Sequence, residues 1–292
     1  MVELSVVMSV YNEEKYLQDS LNSVLMNTFR DFEFIVIDDG SSDKSSEILR
    51  IACEQESRLK LFTNPKNLGI AKSTNFALSK CVGKHIAIMD ADDISLETRF
   101  QTQLDYLCAN PEVDLVGASI FNLLGQDDRL LSGIKEAPTK NLNDLLLKEN
   151  VIMNPTVMFR RNLYDLGLIV HNARYRFTHD YELWTRLALN KNLANIAEPL
   201  VCYRLEKTPE NSSSSRAPFR REVEVIILRT KYLYNLLLLK KFKFIHVRYY
   251  FAAIYRQSIP SFLRIAHSVG RKFFKTSIRA LTLREKIGNL IK

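Results

Sequence analysis

Four short apolar runs, separated by segments of helical period, dominate the first 110 residues. "LSVVMSVY" (4–11) is almost continuously apolar, as a strand buried on both faces must be. "FEFIVIDDG" (32–40), "LKLFTN" (59–64) and "HIAIMD" (85–90) follow the same pattern. After the first run, Asn12 is a candidate helix cap, and Glu13 and Glu14 suit the positive end of a helix dipole. Tyr16, Leu17, Leu21, Val24 and Leu25 then share one helical face. Asp43 is a candidate cap for a second helix that turns Ile48, Leu49 and Ile51 inward. "GIAKSTNFALSK" (69–80) and "LETRFQTQLDYLCAN" (96–110) read as further helices, the last ended by Pro111. This strand–helix alternation predicts an α/β fold built on a mostly parallel, doubly wound sheet flanked by helices.

Such sheets bind ligands at the carboxyl ends of their strands. The polar residues of this chain gather at those ends: Tyr11, Asn12 and Glu13 after the first strand, Asp38 and Asp39 after the second, Asp90, Asp92 and Asp93 after the fourth. The stretch "IMDADDI" (88–94) places three carboxylates in four residues. Like charges so close repel unless solvated or paired. A divalent cation relieves the crowding, and Mg²⁺ or Mn²⁺ prefers oxygen ligands, commonly one or two carboxylates plus substrate phosphates. A solvated turn whose acids cap the next helix is the plainer alternative. No GxGxxG follows the first strand and no GxxxxGK[ST] occurs, so a glycine cradle for phosphate is not indicated.

Beyond residue 112 the pattern loosens. "VDLVGASIFNLL" (113–124) is strand-like, "NPTVMFRRNLYDLG" (154–167) suggests a strand and a short helix, and "HDYELWTRLALNK" (179–191) is an amphipathic helix with Leu183, Trp184 and Leu187 inward. "PENSSSSRAP" (209–218) reads as a linker. The net charge of +8 conceals a division at this point. Residues 216–292 hold 18 Lys and Arg against three acids, so that segment is +15 and residues 1–215 are −7. The expected organisation is a catalytic domain over 1–208 and a basic, amphipathic helical region over 216–292. The four cysteines show no CxxC spacing and read as plain thiols of a reducing compartment. No early segment has the form of a secretory signal, and no run reaches the roughly 18 apolar residues of a spanning helix.

The ordered set "SVVMSVYNEEKYLQDSLNSVLMNTFRDFEFIVIDDGSSD", "NLGIAKSTNFALSKCVGKHIAIMDADD", "NPTVMFRR" and "HDYELWTRLALNKNLANIAEPLVCYR" strongly resembles family 2 glycosyltransferases. These are inverting enzymes of the GT-A (Rossmann-like) fold, and the resemblance covers residues 4–204. It makes "MDADD" the DxD motif. By position it implies that Tyr11 stacks on the nucleotide base, Glu13 lines the nucleotide pocket and Asp39 accepts the uracil imide N–H, with Asp38 as a structural partner. Lys72 would approach the diphosphate and Asp90 the ribose or the metal. Asp92 would be the principal metal ligand, with Asp93 beside it. The family's general base is an acid of an "ED" pair opening a late helix. Here the pair reads His179-Asp180, so Asp180 is assigned the base, with helix capping as its alternative role. Glu182 competes but points to another helix face, His179 is a polar neighbour, and Trp184 is a core residue.

The resemblance implies a Mn²⁺- or Mg²⁺-dependent transfer of a hexose or N-acetylhexosamine from a UDP-sugar. The acceptor would be a saccharide hydroxyl, lipid-linked, in lipopolysaccharide, capsule or exopolysaccharide assembly. Helices with aromatic and leucine faces and cationic flanks suit an anionic bilayer surface. The basic region therefore implies a peripheral enzyme at the inner face of the cytoplasmic membrane, or a packing or homo-oligomer face. No nucleic-acid motif accompanies the charge. A sugar-phosphate nucleotidyltransferase would need a glycine-rich first loop, which "VVMSVYNEEKY" lacks. A receiver-like module would need only about 120 residues, and a degenerate scaffold would not keep Asp39, Asp92 and Asp180.

Overall fold

A computed structural model describes residues 2–124, 131–205 and 218–253. The four parallel strands are β1 (Leu4–Val10), β2 (Phe32–Asp38), β3 (Leu59–Thr63) and β4 (His85–Asp90), with helices α1 (Leu17–Leu25), α2 (Ser45–Gln55) and α3 (Ile70–Leu78) as crossovers. Then follow β5 (Ile94–Ser95), α4 (Arg99–Ala109), β6 (Leu115–Leu124), β7 (Leu131–Lys135), α5 (Leu142–Leu145), β8 (Met158–Arg160), α6 (Asn162–Asp165), α7 (His179–Leu187), β9 (Leu193–Leu205) and α8 (Pro218–Leu238). A 3-10 turn, Asn154–Thr156, leads into β8.

The strands form one sheet in the order β3-β2-β1-β4-β8-β6-β9-β5, with β7 paired to β6. The first four are parallel, β8 runs antiparallel to β4 and β6, and β9 is parallel to β6. Every residue of β2 is buried, and all of β1 but Ser9. That is why these runs lack the apolar–polar alternation of a one-faced strand. The core joins Leu4, Val6 and Met8 of β1 to Leu17, Leu21 and Val24 of α1 and to Phe34, Phe100 and Leu107.

Register is what the site depends on. Val10 pairs with Asp38 on one side of β1, and Ser9 with Asp90 on the other. The acids that end two different strands therefore flank the end of a third.

Two sequence expectations are corrected here. Asn12 caps no helix: its φ is +56° and α1 begins at Leu17. Its side-chain oxygen instead accepts from Ser42 N–H at 2.8 Å, and its own N–H donates to Ser41 Oγ at 3.1 Å. Glu13 N–H to Ser45 Oγ, Glu14 N–H to Asp43 Oδ2 and Lys44 N–H to Glu14 Oε2 complete a ladder that joins the loops after β1 and β2. A left-handed Asn is the least strained way for a non-glycine residue to make such a turn. Ile51 is exposed rather than inward; Leu49 and Ala52 form the buried face of α2. Asp43 does reach the helix start, accepting Ser45 N–H at 2.9 Å. The linker at 209–217 and the tail beyond 253 lie outside the described residues.

The chain divides into two compact units, Met1–Leu146 with Asn150–Arg216, and Leu147–Glu149 with Ala217–Lys292. In the second, Leu228, Tyr232 and Leu236 of α8 recur at the four-residue spacing of one helix stripe and are buried. Arg229 donates to the Lys148 carbonyl at 2.6 Å. No described helix is long and apolar enough to cross a membrane.

One buried carboxylate ties the edge of the sheet together. Glu33 accepts from Ser5 Oγ at 2.6 Å, Val82 N–H at 2.7 Å and Lys60 Nζ at 2.8 Å. Burial alone would raise its pKa, but these donors outweigh it and hold the carboxyl below the ordinary 4.5. A depressed carboxylate contributes stability above its unfolded pKa, and that stability is lost as pH falls through the folded value. Glu33→Gln should therefore be less stable than the parent chain by about 1–3 kcal/mol at pH 7. The gap should close below pH 4.5 in urea unfolding followed by circular dichroism. A gap constant down to pH 3 would contradict this account.

Candidate active site

The carboxyl edge of the sheet collects acids from three places. Asp90 ends β4, Asp92 and Asp93 occupy the turn before β5, and Asp180 lies in the first turn of α7. Two features of the chain hold the turn. β5 pairs antiparallel with β9, Ile94 opposite Cys202. The Arg204 N–H then donates to Asp93 Oδ1 at 2.8 Å.

The acids sense one another. Burial raises the Asp90 pKa, and the charges of Asp92 and Asp180 raise it further against the hydrogen bond from Asn154. Burial pushes Asp93 well above the usual carboxylate range, with Asp92 and Asp90 adding to it and Arg204 opposing it. The Tyr203 phenol is raised for the same reasons: burial first, then the charges of Asp93, Asp90, Asp92 and Asp180. Tyr203 thus lies within the field of all four acids. The cluster is compensated on its inner side by Arg99, which is fully buried and donates to the Ile88 carbonyl at 2.8 Å and to Gln103 Oε1 at 3.1 Å. Burial pulls its guanidinium down to about 9, with Asp90 and Asp93 opposing the shift, so it remains a cation at neutral pH.

Two asparagines outside the sequence-level set orient the acids. Asn154 Nδ2 donates to Asp90 Oδ1 at 2.9 Å, and Asn150 Nδ2 donates to Asp180 Oδ2 at 3.0 Å. Asn154 is carried by the 3-10 turn whose Pro155 and Thr156 are buried. Asn154 opens the segment "NPTVMFRR", but nothing in it announces a carboxylate partner. Tyr203 and Arg204 close the segment "HDYELWTRLALNKNLANIAEPLVCYR", but the resemblance assigned neither of them a role.

The expected nucleotide residues lie on the neighbouring strand ends. Tyr11 is exposed directly after β1, and Glu13 is half-buried in the ladder of loops. Asp39 is buried, its N–H bonded to the Val10 carbonyl. Its Oδ1 accepts from Asn64 Nδ2 and Leu68 N–H, and its Oδ2 from Gly69 N–H, at 2.8–2.9 Å. Asp38 accepts from Ser41 N–H and Ser46 Oγ, a structural set of contacts. Directly after Asp39, Gly40, at φ +73°, passes so close to Lys66 that a Cβ would lie 2.7 Å from its carbonyl carbon. Lys72 is exposed in the first turn of α3.

On α7, Trp184 is fully buried and Glu182 is buried against Arg186 at 3.3 Å. His179 is buried, its Nδ1 3.1 Å from Nδ1 of His171. Burial first, with His179 and Arg186 adding to it, lowers His171 to about 3. His171 is therefore neutral at pH 7, and its contact with His179 binds α7 to a loop that Asn75 of α3 grips through reciprocal 2.8 Å hydrogen bonds to the His171 backbone.

The donor set suits a hard divalent cation. Asp93 Oδ2 and Asn154 Oδ1 are buried acceptors with no hydrogen-bond donor among the described residues. No group of three or more His, Cys, Asp or Glu among the described residues closes a metal cage by itself.

A mixed sheet with an acid turn at its carboxyl edge and a further acid from a late helix defines an enzyme class, the GT-A glycosyltransferases. The family model "Glycosyl transferase family 2" matches residues 5–179, and the chain belongs to that family. It is 30% identical over 217 residues to the O-antigen biosynthesis glycosyltransferase WbnJ of Escherichia coli, covering 72% of this chain and 83% of the relative. In fold it is similar to S. aureus TarS 1-349 in complex with UDP (TM-score 0.61, 21% identity, 80% of this chain and 66% of that one). It is similar also to the Pyrobaculum calidifontis mannosyltransferase PcManGT in complex with GDP-Man and Mn²⁺ (TM-score 0.60, 16% identity, 99% and 83%). Family membership removes the nucleotidyltransferase and receiver alternatives.

Proposed function

We propose that the chain is a metal-dependent inverting glycosyltransferase that moves a hexose or N-acetylhexosamine from a UDP-sugar to a saccharide hydroxyl in the assembly of a surface glycan. The observation that carries this reading is that the charges of Asp92, in the acid turn, and of Asp180, on α7, both reach Asp90 at the end of β4. Mn²⁺ or Mg²⁺, held by Asp92 with Asp93 beside it, would neutralise the charge that develops on the departing diphosphate.

The chain's own groups do the rest. Asp180, its second oxygen fixed by Asn150, takes the proton of the acceptor hydroxyl. The acceptor oxygen forms its bond to the anomeric carbon as the bond to the diphosphate oxygen breaks, which inverts the configuration. UDP leaves with the bonding pair. Asp90, oriented by Asn154, faces the ribose or the cation. Tyr11 is placed to stack on the base, Glu13 to line the pocket and Lys72 to approach the diphosphate. Among the described residues, one protein N–H, that of Gly69, reaches Asp39 Oδ2. The position left on it suits the single imide N–H of uracil better than guanine, whose edge presents an N–H and an amino group together. The kinship with WbnJ supports an acceptor of the O-antigen type, and a lipid-linked one fits the basic region.

That region, with the domain limits 1–208 and 216–292, is proposed to hold the enzyme at the inner face of the cytoplasmic membrane. Tyr234, Leu237, Leu238, Phe244 and Phe251 are exposed, and residues 225–284 contain no acid. Basic residues near an anionic surface contribute about 1 kcal/mol each, and the attraction is screened by salt.

Two experiments test these readings. Asp180→Asn should lower transfer by roughly 100-fold or more while leaving UDP affinity unchanged. Asp92→Asn should lose transfer together with Mn²⁺-dependent UDP binding by calorimetry. Full transfer in both variants would refute the site. The full chain should sediment with vesicles containing phosphatidylglycerol at low ionic strength and be released by about 0.5 M salt. Equal recovery on neutral and anionic vesicles would refute the membrane assignment.

A further inference from the structure

Arg204 lies near the end of β9, 4% exposed, as the last residue of the segment "HDYELWTRLALNKNLANIAEPLVCYR", where the resemblance gave it no role. Its side chain reaches two places at once. Nε donates to the Asp92 carbonyl at 2.8 Å. The guanidinium carbon lies 4.0 Å from the centre of the Tyr16 ring, well inside cation–π range. Tyr16 directly precedes α1, at the end of the loop that carries Tyr11 and Glu13 and is laddered to the loop after β2. The backbone N–H of the same residue holds Asp93 Oδ1, a contact no substitution of the side chain removes.

We infer that Arg204 is a positioning residue that ties the nucleotide end of the pocket, through Tyr16, to the acid turn at its metal end, through the Asp92 carbonyl. The inference rests on the proposed metal–diphosphate reading of the site. Holding that carbonyl sets the direction in which the Asp92 side chain leaves the backbone. The planar fork of Arg can donate along one edge and present its face to an aromatic ring, whereas the point charge of Lys cannot do both. A cation and a nucleotide would then each meet a half of the site already placed by the other's anchor. Loss of the link should weaken their joint binding more than the fold.

The test measures binding, not turnover. Mn²⁺ binding is followed by electron paramagnetic resonance with and without saturating UDP, in the full chain and in Arg204→Lys, Tyr16→Phe and Tyr16→Leu. Arg204→Lys should raise the Mn²⁺ dissociation constant measured with UDP at least tenfold. Tyr16→Phe keeps the ring and should match the parent, while Tyr16→Leu should shift in the direction of Arg204→Lys. If Arg204→Lys does not fold, the two Tyr16 variants decide between the outcomes. Parent-like constants in folded Arg204→Lys, or equal behaviour of Tyr16→Phe and Tyr16→Leu, would overturn the inference alone. A parent chain with no UDP-dependent Mn²⁺ binding would overturn the proposed function and this inference together.

Discussion

Several carboxylates share one edge of a sheet in surroundings too poor in water to solvate them all. Burial and mutual repulsion raise Asp90 and Asp93, and the charge of Asp180 reaches Asp90 from another element. Arg99 compensates the cluster from within, Arg204 from the β9 side, and two asparagine amides donate to individual oxygens. This balance is incomplete, because Asp93 Oδ2 and Asn154 Oδ1 still lack a donor among the described residues. A turn so arranged costs free energy unless something positive joins it. The rest of the architecture can be understood as the means of keeping these groups together.

Parallel pairing does most of that. Because β1 sits between β2 and β4, the ends of three strands lie side by side, and acids 52 residues apart in sequence (Asp38 and Asp90) flank Ser9 and Val10. The antiparallel β8 then returns the chain past β4 and delivers Asn154 to the same edge. β9 closes the arrangement on the acid turn itself through β5. The α7 helix is secured by a pair of buried histidines, His171 and His179, the second standing directly before Asp180.

Much of this was legible in the amino-acid sequence. The continuous apolar runs announce strands covered on both faces, and their polar ends announce the edge where chemistry belongs. Local rules failed where a distant partner decides the outcome. Asn12 has the composition of a cap, yet Ser41 and Ser42, some 30 residues away, draw it into a left-handed turn. Ile51 fits the helical face by spacing but lies outside the strip that α2 buries. Asn150 and Asn154 are indistinguishable from loop residues until β8 is placed. Arg204 lies 112 residues from the carbonyl it holds. A single sequence carries no trace of such pairings, because each partner is locally unremarkable.

The central claim is that one cation, gripping a pyrophosphate, completes this edge of the sheet with Asp180 across the reacting carbon. Anomalous diffraction at the manganese edge, from crystals grown with UDP and Mn²⁺, tests it most directly. The account predicts a single anomalous peak within bonding distance of the Asp92 or Asp93 carboxylate and of diphosphate oxygens, with uracil between Tyr11 and Asp39. Ordered UDP with no manganese at this turn, or manganese bound elsewhere, would contradict it.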